Sequence, residues 1–414
     1  VKKIVLRSLA ASTLALSGAA VAQDMDKKVT VGGNFQLNMN TSDSARSNTF
    51  RANETTSAPD FGIDKARVKT KVAGGIASGE AEIDFKGGST FSLRRAQLNL
   101  DALTLKSGDN TFTTTLSMGG IRIGGADLTA ADITWAPQGY SRQDGAYLKE
   151  TLALGKMANI ELGAGLFNTI NTFVLGAASS PATSVGATSW NDANTVNSVK
   201  GKGLGMAAHV AATVNVDDNQ SIGAKFYYGA QEKVKTAETT ATARDLSHME
   251  ASVVYNHAGI FGSKGVLSTN GVSFWYEADE LKGGMAITAA DTDKSEAIFA
   301  PAGSDTVKST LMGFGVAGDT GSYLTGMLQK GDRLTYAVSY AMNKGTYGAA
   351  AATNDYDKKQ MAFSVGYAVS SFELAFNLEH VKADKKVFAD NGKTADANKK
   401  DTMMKSYLTM AYQF

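Results

Sequence analysis

Leu204 to Val216 reads Leu-Gly-Met-Ala-Ala-His-Val-Ala-Ala-Thr-Val-Asn-Val, and its alternate positions Leu204, Met206, Ala208, Val210, Ala212, Val214 and Val216 are all apolar. Side chains of a strand alternate between two faces, whereas a helix would spread such a series round its whole surface, so this stretch predicts a strand. The same period runs through Val29, Val31, Gly33, Phe35, Leu37 and Met39, through Leu334, Tyr336, Val338, Tyr340 and Met342, and through Met361, Phe363, Val365, Tyr367 and Val369. Strands of ordinary globular domains average about 5 to 6 residues. Tilted strands of about 9 to 11 residues cross a membrane, and these runs approach that length.

The connections alternate as well. Short ones such as Asp217-Asp218-Asn219, Lys330-Gly331-Asp332 and Ser370-Ser371 interleave with long polar ones at 41–60, 168–202, 232–247, 344–358 and 382–401. Pro59, Pro137, Pro181 and Pro301 all fall between the predicted strands, where a missing ladder donor costs nothing. The expectation is an all-β fold: a transmembrane antiparallel β-barrel of 16 to 18 strands with short periplasmic turns and long extracellular loops. The uncertainty in number comes from 257–330, where the patterns at 272–279, 284–290, 310–317 and 321–329 are short and weak.

The chain has 414 residues, with 41 Lys and Arg against 40 Asp and Glu, no Cys and four Pro. Its one sustained apolar stretch, Leu9 to Leu16, follows Lys2, Lys3 and Arg7 and precedes Ala20-Val21-Ala22, the layout of a cleaved export leader. Residues 1–22 are therefore expected to be a signal peptide and 23–414 the barrel. An exported chain without Cys holds neither disulfides nor thiolate metal sites. A near-neutral charge argues against nucleic acid as a partner.

Parity also assigns the inner wall. If Ala66, Val68, Thr70 and Val72 face lipid, Lys65, Arg67, Lys69 and Lys71 face inward as a ladder of cations, because a Lys or Arg on the lipid side costs about 2–4 kcal/mol near the midplane. With Ala81, Ile83 and Phe85 outward, Glu80, Glu82 and Asp84 join them, and Arg95 follows from Ala96 and Leu98 on the next strand. These eight side chains either line a permeation path or bridge adjacent strands as ion pairs that hold register.

The final segment places Met404, Ser406, Leu408, Met410, Tyr412 and Phe414 on one face. The spacing of Tyr412 and Phe414 looks like the outer-membrane barrel assembly signal of Gram-negative bacteria. With the segments Phe61–Gly74 (FGIDKARVKTKVAG), Phe91–Leu100 (FSLRRAQLNL) and Ile121–Gly125 (IRIGG), the chain resembles the Gram-negative outer-membrane porins, the general-diffusion or weakly selective β-barrel family. That resemblance implies passive diffusion of ions and small hydrophilic solutes. It also implies a homotrimer in a bilayer with lipopolysaccharide, assembled by the barrel-assembly machinery. It further implies a constriction loop folded inward, in the place of residues 125–144; there Asp127, Asp132 and Asp144 would face the cationic wall, and Arg142 fits either set.

No catalytic residue, cofactor or metal site is expected. His209 has inward parity, His248 opens a strand, His257 sits at a turn and His380 closes a strand, too scattered for a cluster. Asp291-Thr292-Asp293-Lys294-Ser295 starts like a calcium loop, but Glu296 stands where glycine is needed and Ala302 where the last carboxylate belongs. The rival readings are a barrel-type outer-membrane enzyme and a non-conducting adhesin or structural barrel.

Overall fold

The computed structural model describes residues 28–44, 60–86, 90–123, 140–167, 205–234, 244–262, 270–282, 306–320, 331–346, 356–383 and 401–414. The expected leader, Asp127, Asp132, the four prolines, the segments 284–290 and 321–329 and the calcium-like stretch 291–302 lie outside these residues. The strands are β1 (Lys28–Ser44), β2 (Asp60–Gly74), β3 (Ala77–Lys86), β4 (Thr90–Ser107), β5 (Asn110–Ile123), β6 (Tyr140–Leu154), β7 (Ala158–Phe167) and β8 (Gly205–Asn215). They continue with β9 (Gln220–Val234), β10 (Arg244–His257), β11 (Gly271–Lys282), β12 (Thr306–Asp319), β13 (Asp332–Thr346), β14 (Tyr356–Val369), β15 (Phe372–Ala383) and β16 (Asp401–Gln413). A single helical turn, α1 (Ala258–Phe261), follows β10.

Every strand pairs antiparallel with its sequence neighbours, and β1 pairs with β16, so the sheet is a closed barrel of 16 strands. Of the four weak segments expected between 257 and 330, two coincide with β11 and β12. These two strands pair with each other directly, which settles the strand number at the lower value.

Strand lengths run from 10 residues in β3 and β7 to 18 in β4. The sheet is long enough to cross a bilayer. Its outer face is apolar: Leu98, Met118, Leu162, Val210, Phe226, Val253, Phe363 and Phe376 are all exposed. Phe274, Phe314 and Tyr340 stand in register across β11, β12 and β13 with ring centroids 6.3 and 6.0 Å apart. Apolar patches on soluble monomers reach about 300–600 Å². A belt passing from strand to strand in this way is the surface of a protein solvated by lipid.

One rim carries tight turns. Gly108, at φ 59°, occupies the first corner of the β4–β5 turn, and Ser370 takes the equivalent place between β14 and β15 at φ 53°. The turn before β9 is an aspartate turn, with the Asp217 carboxylate accepting from the Asn219 backbone N–H at 2.7 Å and from the Gln220 side chain at 2.6 Å. These bonds hold the Asp217 carboxyl below the usual carboxylate range. The other rim carries longer connections, except that β3 and β4 are joined by residues 87–89 alone, and the tight-turn rim also holds two longer ones, 258–270 between β10 and β11 and 320–331 between β12 and β13.

At the closing seam, Gly33 and Phe414 exchange backbone hydrogen bonds of 2.9 and 3.2 Å. A Cβ on Gly33 would stand 2.5 Å from the Phe414 ring and 2.4 Å from the Arg67 carbonyl oxygen. The bare glycine is what lets the last aromatic lie against β1. Phe414 and Tyr412, both exposed on the outer face, place their ring centroids 6.1 Å apart.

Two substitutions test this geometry by urea unfolding in lipid vesicles. Val338→Arg, outward on β13, should lose about 2–4 kcal/mol. Ser370→Gly should gain about 1 kcal/mol by removing a left-handed non-glycine residue.

Candidate functional site

The β2–β3 ladder pairs Arg67 with Asp84, Lys69 with Glu82 and Lys71 with Glu80. The expected cations and acids therefore meet across one strand boundary. The Arg67 Nε lies 2.6 Å from Asp84 Oδ1 and 2.9 Å from Glu82 Oε1. On the far side, Arg95 from β4 pairs with Glu80 and stands 3.8 Å from Glu82. Lys69 completes the group with its Nζ 3.8 Å from Glu82 Oε2.

Exposure divides the ladder. The side chains of Arg67, Glu82 and Asp84 are 16%, 7% and 11% exposed, whereas that of Lys69 is 51% exposed, and Lys71 is exposed too. The arginines bridge strands, and the two lysines offer charge to water. Next to them on β4 and β5, Asn99 Oδ1 accepts from Gln97 at 2.5 Å and from Ser117 at 2.7 Å, and Asp101 accepts from Thr115 at 2.7 Å.

Lys65 pairs with Gln36 of β1 beside an irregularity in which Asp64 is the extra residue. Arg142 and Asp144 correct the expected loop boundary, because β6 begins at Tyr140 and Asp144 pairs with Gly120 of β5. They belong to the wall strand that follows the connection, while 125–139 lies outside the described residues.

The stretch of wall from β12 to β16 carries fewer charges than the β2–β4 ladder. From β12 to β16 the inward positions include Ala317, Ala337, Ser339, Ala341, Ala362 and Ser364, all buried. Tyr407 packs with Ala317, Ala337 and Ala362. Polar groups here are tied to one another: Gln360 donates to Glu379 at 2.6 Å, Asn377 donates to Thr409 at 2.8 Å, and Thr335 donates to Glu373. This stretch is a packed wall whose polar groups bond one another.

Two histidines find side-chain partners, one across strands and one two residues away on its own strand. The Tyr147 hydroxyl bonds His209 Nδ1, and the two rings stack with centroids 5.7 Å apart. His209 Nε2 lies 3.8 Å from Glu161. A Cβ on Gly163 or Gly165 would strike the Tyr147 ring system at 2.3 or 2.5 Å, so these glycines of β7 form the bed for that tyrosine. With Tyr147 only 5% exposed, the group reads as packing with satisfied polar atoms. His248 lies inside β10 and does not open it, and its Nε2 is 2.8 Å from Glu250 Oε1. That second pair was legible, since residues two apart share a face.

Replacing Arg67 by Met should cost up to about 3–5 kcal/mol of barrel stability, because Asp84 and Glu82, with little access to water, lose their nearest cation, while Lys69 and Arg95 stay 3.8 Å from Glu82. Arg67→Met combined with Glu82→Gln and Asp84→Asn should recover most of that loss in the same unfolding assay.

No protein-family model and no curated protein matches the chain. Among solved structures it is similar to the Salmonella typhi OmpF complex with daunomycin, at 12% identity over 94% of this chain and 98% of that one, with a TM-score of 0.51. It is also similar to the anion-selective porin from Comamonas acidovorans, at 14% identity, 94% and 100% coverage and a TM-score of 0.49. The outer membrane channel DcaP of Acinetobacter baumannii matches at 11% identity, 94% and 97% coverage and a TM-score of 0.48. At such identities the likeness concerns architecture, and with the closed ladder of 16 antiparallel strands it shows that the chain has the outer-membrane porin-type fold.

Proposed function

We propose that this protein is an outer-membrane porin through which ions and small hydrophilic solutes diffuse passively. The observation that carries the reading is a closed barrel of 16 strands whose inner wall presents water-facing charge at Lys69 and Lys71. Small barrels of about 8 strands are filled by their own side chains, whereas 16 to 18 strands enclose an aqueous channel. No catalytic step is involved.

In this reading residues 1–22 direct export and are removed, and the mature chain sits in the outer membrane among lipid and lipopolysaccharide as a homotrimer. Tyr412 and Phe414 present the signal recognised by the barrel-assembly machinery. Asp127 and Asp132, on the connection from β5 to β6, turn inward toward the β2–β3 wall, with Arg142 and Asp144 at its base. Solutes pass along β2–β4, because the inner charges there reach water while the surface of β12–β16 is closed over by packing.

Selectivity follows from the pairing. Arg67, Lys69, Lys71 and Arg95 are matched one for one by Glu80, Glu82, Asp84 and Asp101, so the wall discriminates weakly between anions and cations. Only charge that is both unshielded and exposed acts on a passing ion.

Planar-bilayer recording of the purified mature protein under a KCl gradient tests the proposal. Discrete conductance steps are expected, grouped in threes if each trimer inserts as a unit. Lys69→Gln with Lys71→Gln should move the reversal potential toward cation preference, and Arg67→Gln should move it little. A folded barrel that inserts without conducting would overturn the reading.

A further inference from the structure

β10 and β11 bring three metal-ligating side chains to one point of the inner wall. Glu250 of β10 stands directly opposite Glu277 of β11, and His248 precedes Glu250 by two residues on the same face. Directly opposed carboxylates repel each other, the more so where water is scarce. Glu250 is 3% exposed and His248 7%. One donor atom from each of the three residues lies within 4.8 Å of the others. Among the described residues this is the one such group.

The surroundings are built. Tyr227 of β9, opposite Glu250 in the ladder and fully buried, places its ring centroid 5.7 Å from that of His248. Trp275 of β11, two residues before Glu277 and 3% exposed, covers the same face and lies over Gly313, where a Cβ would come within 2.6 Å of the indole. Lys225 of β9, opposite Ser252, contributes the nearest cationic side chain in the ladder. Glu277 is half-buried and forms the side open to water.

We propose that His248, Glu250 and Glu277 form a binding site for one divalent transition-metal ion of the zinc class. An imidazole nitrogen with two carboxylates suits borderline first-row ions, whereas calcium takes about 6–8 oxygens and magnesium keeps most of its waters. Bonds of about 2.0–2.2 Å set tetrahedral ligand atoms about 3.4 Å apart. All three residues sit on two hydrogen-bonded strands that fix their backbones, so bringing the donor atoms, now within 4.8 Å of one another, to that spacing falls to side-chain rotation. Binding exchanges the His248–Glu250 hydrogen bond for two metal bonds, with water completing the shell on the Glu277 side. The metal thereby adds attraction for both opposed carboxylates.

The test uses the full folded barrel in detergent, stripped of metal by a chelator, with Co²⁺ as the probe and its visible absorption as the readout. One Co²⁺ per chain, displaced by Zn²⁺, is expected. His248→Ala should abolish the band and Glu277→Gln should weaken binding about tenfold or more. His257→Ala, which alters only the residue capping α1, should leave it unchanged. Folding of each variant is read from heat-modifiable migration in gels, and His248→Asn stands in where His248→Ala does not fold. Absence of saturable binding, or wild-type binding by folded His248 and Glu277 variants, would overturn the proposal. The readout does not involve conductance, so a barrel that binds Co²⁺ yet passes no current refutes the transport reading alone.

Discussion

Closure of the backbone ladder is the constraint on which everything else in this molecule rests. In hydrocarbon an unpaired N–H or C=O has no water to turn to, so a sheet that spans a membrane must have no edge. The β1–β16 pairing meets that demand from Asn34 to Ser44, and the Gly33–Phe414 bonds extend it by one more position. Gly33 matters because any side chain there would displace the residue that completes the seam. Once the ladder is closed, parity alone decides which side chains meet lipid and which meet the interior.

The interior then shows two unlike stretches. On β2–β4 the arginines and acids neutralise one another across strand boundaries, and the leftover lysines reach water. On β12–β16 small residues let Tyr407, Gln360 and Glu379 lie close to the wall. Pairing makes charge tolerable at low exposure, which is why the arginines act as rivets while the more exposed Lys69 and Lys71 present charge to water.

Much of this was legible in the chain itself. Alternation located most strands, and parity put Arg67, Lys69, Lys71, Glu80, Glu82, Asp84 and Arg95 on one common face, where the ladder pairs them with one another. What escaped was whatever depends on register between strands or on an extra residue within one. Strict alternation carried past Asp101 would turn Leu103 and Leu105 inward, but Ala102 is an extra residue against β5, and both leucines emerge on the outer face. The 16-strand closure could not be chosen over 18 because weak patterns in 257–330 carry little parity information. Tyr147 and His209 lie on strands separated by a connection of unrelated sequence, and only the β6–β7–β8 pairing makes them neighbours. Glu277 joins His248 and Glu250 for the same reason.

The absence of Cys from the chain opens a direct test of the inside-out arrangement. Single cysteines placed from Leu334 to Asn343 along β13, labelled with a small fluorophore and reconstituted with brominated lipid, report lipid contact residue by residue. Quenching at 334, 336, 338, 340 and 342, with none at 335, 337, 339, 341 and 343, is the result this structure predicts. Quenching without a period of two, or with the opposite phase, would contradict it.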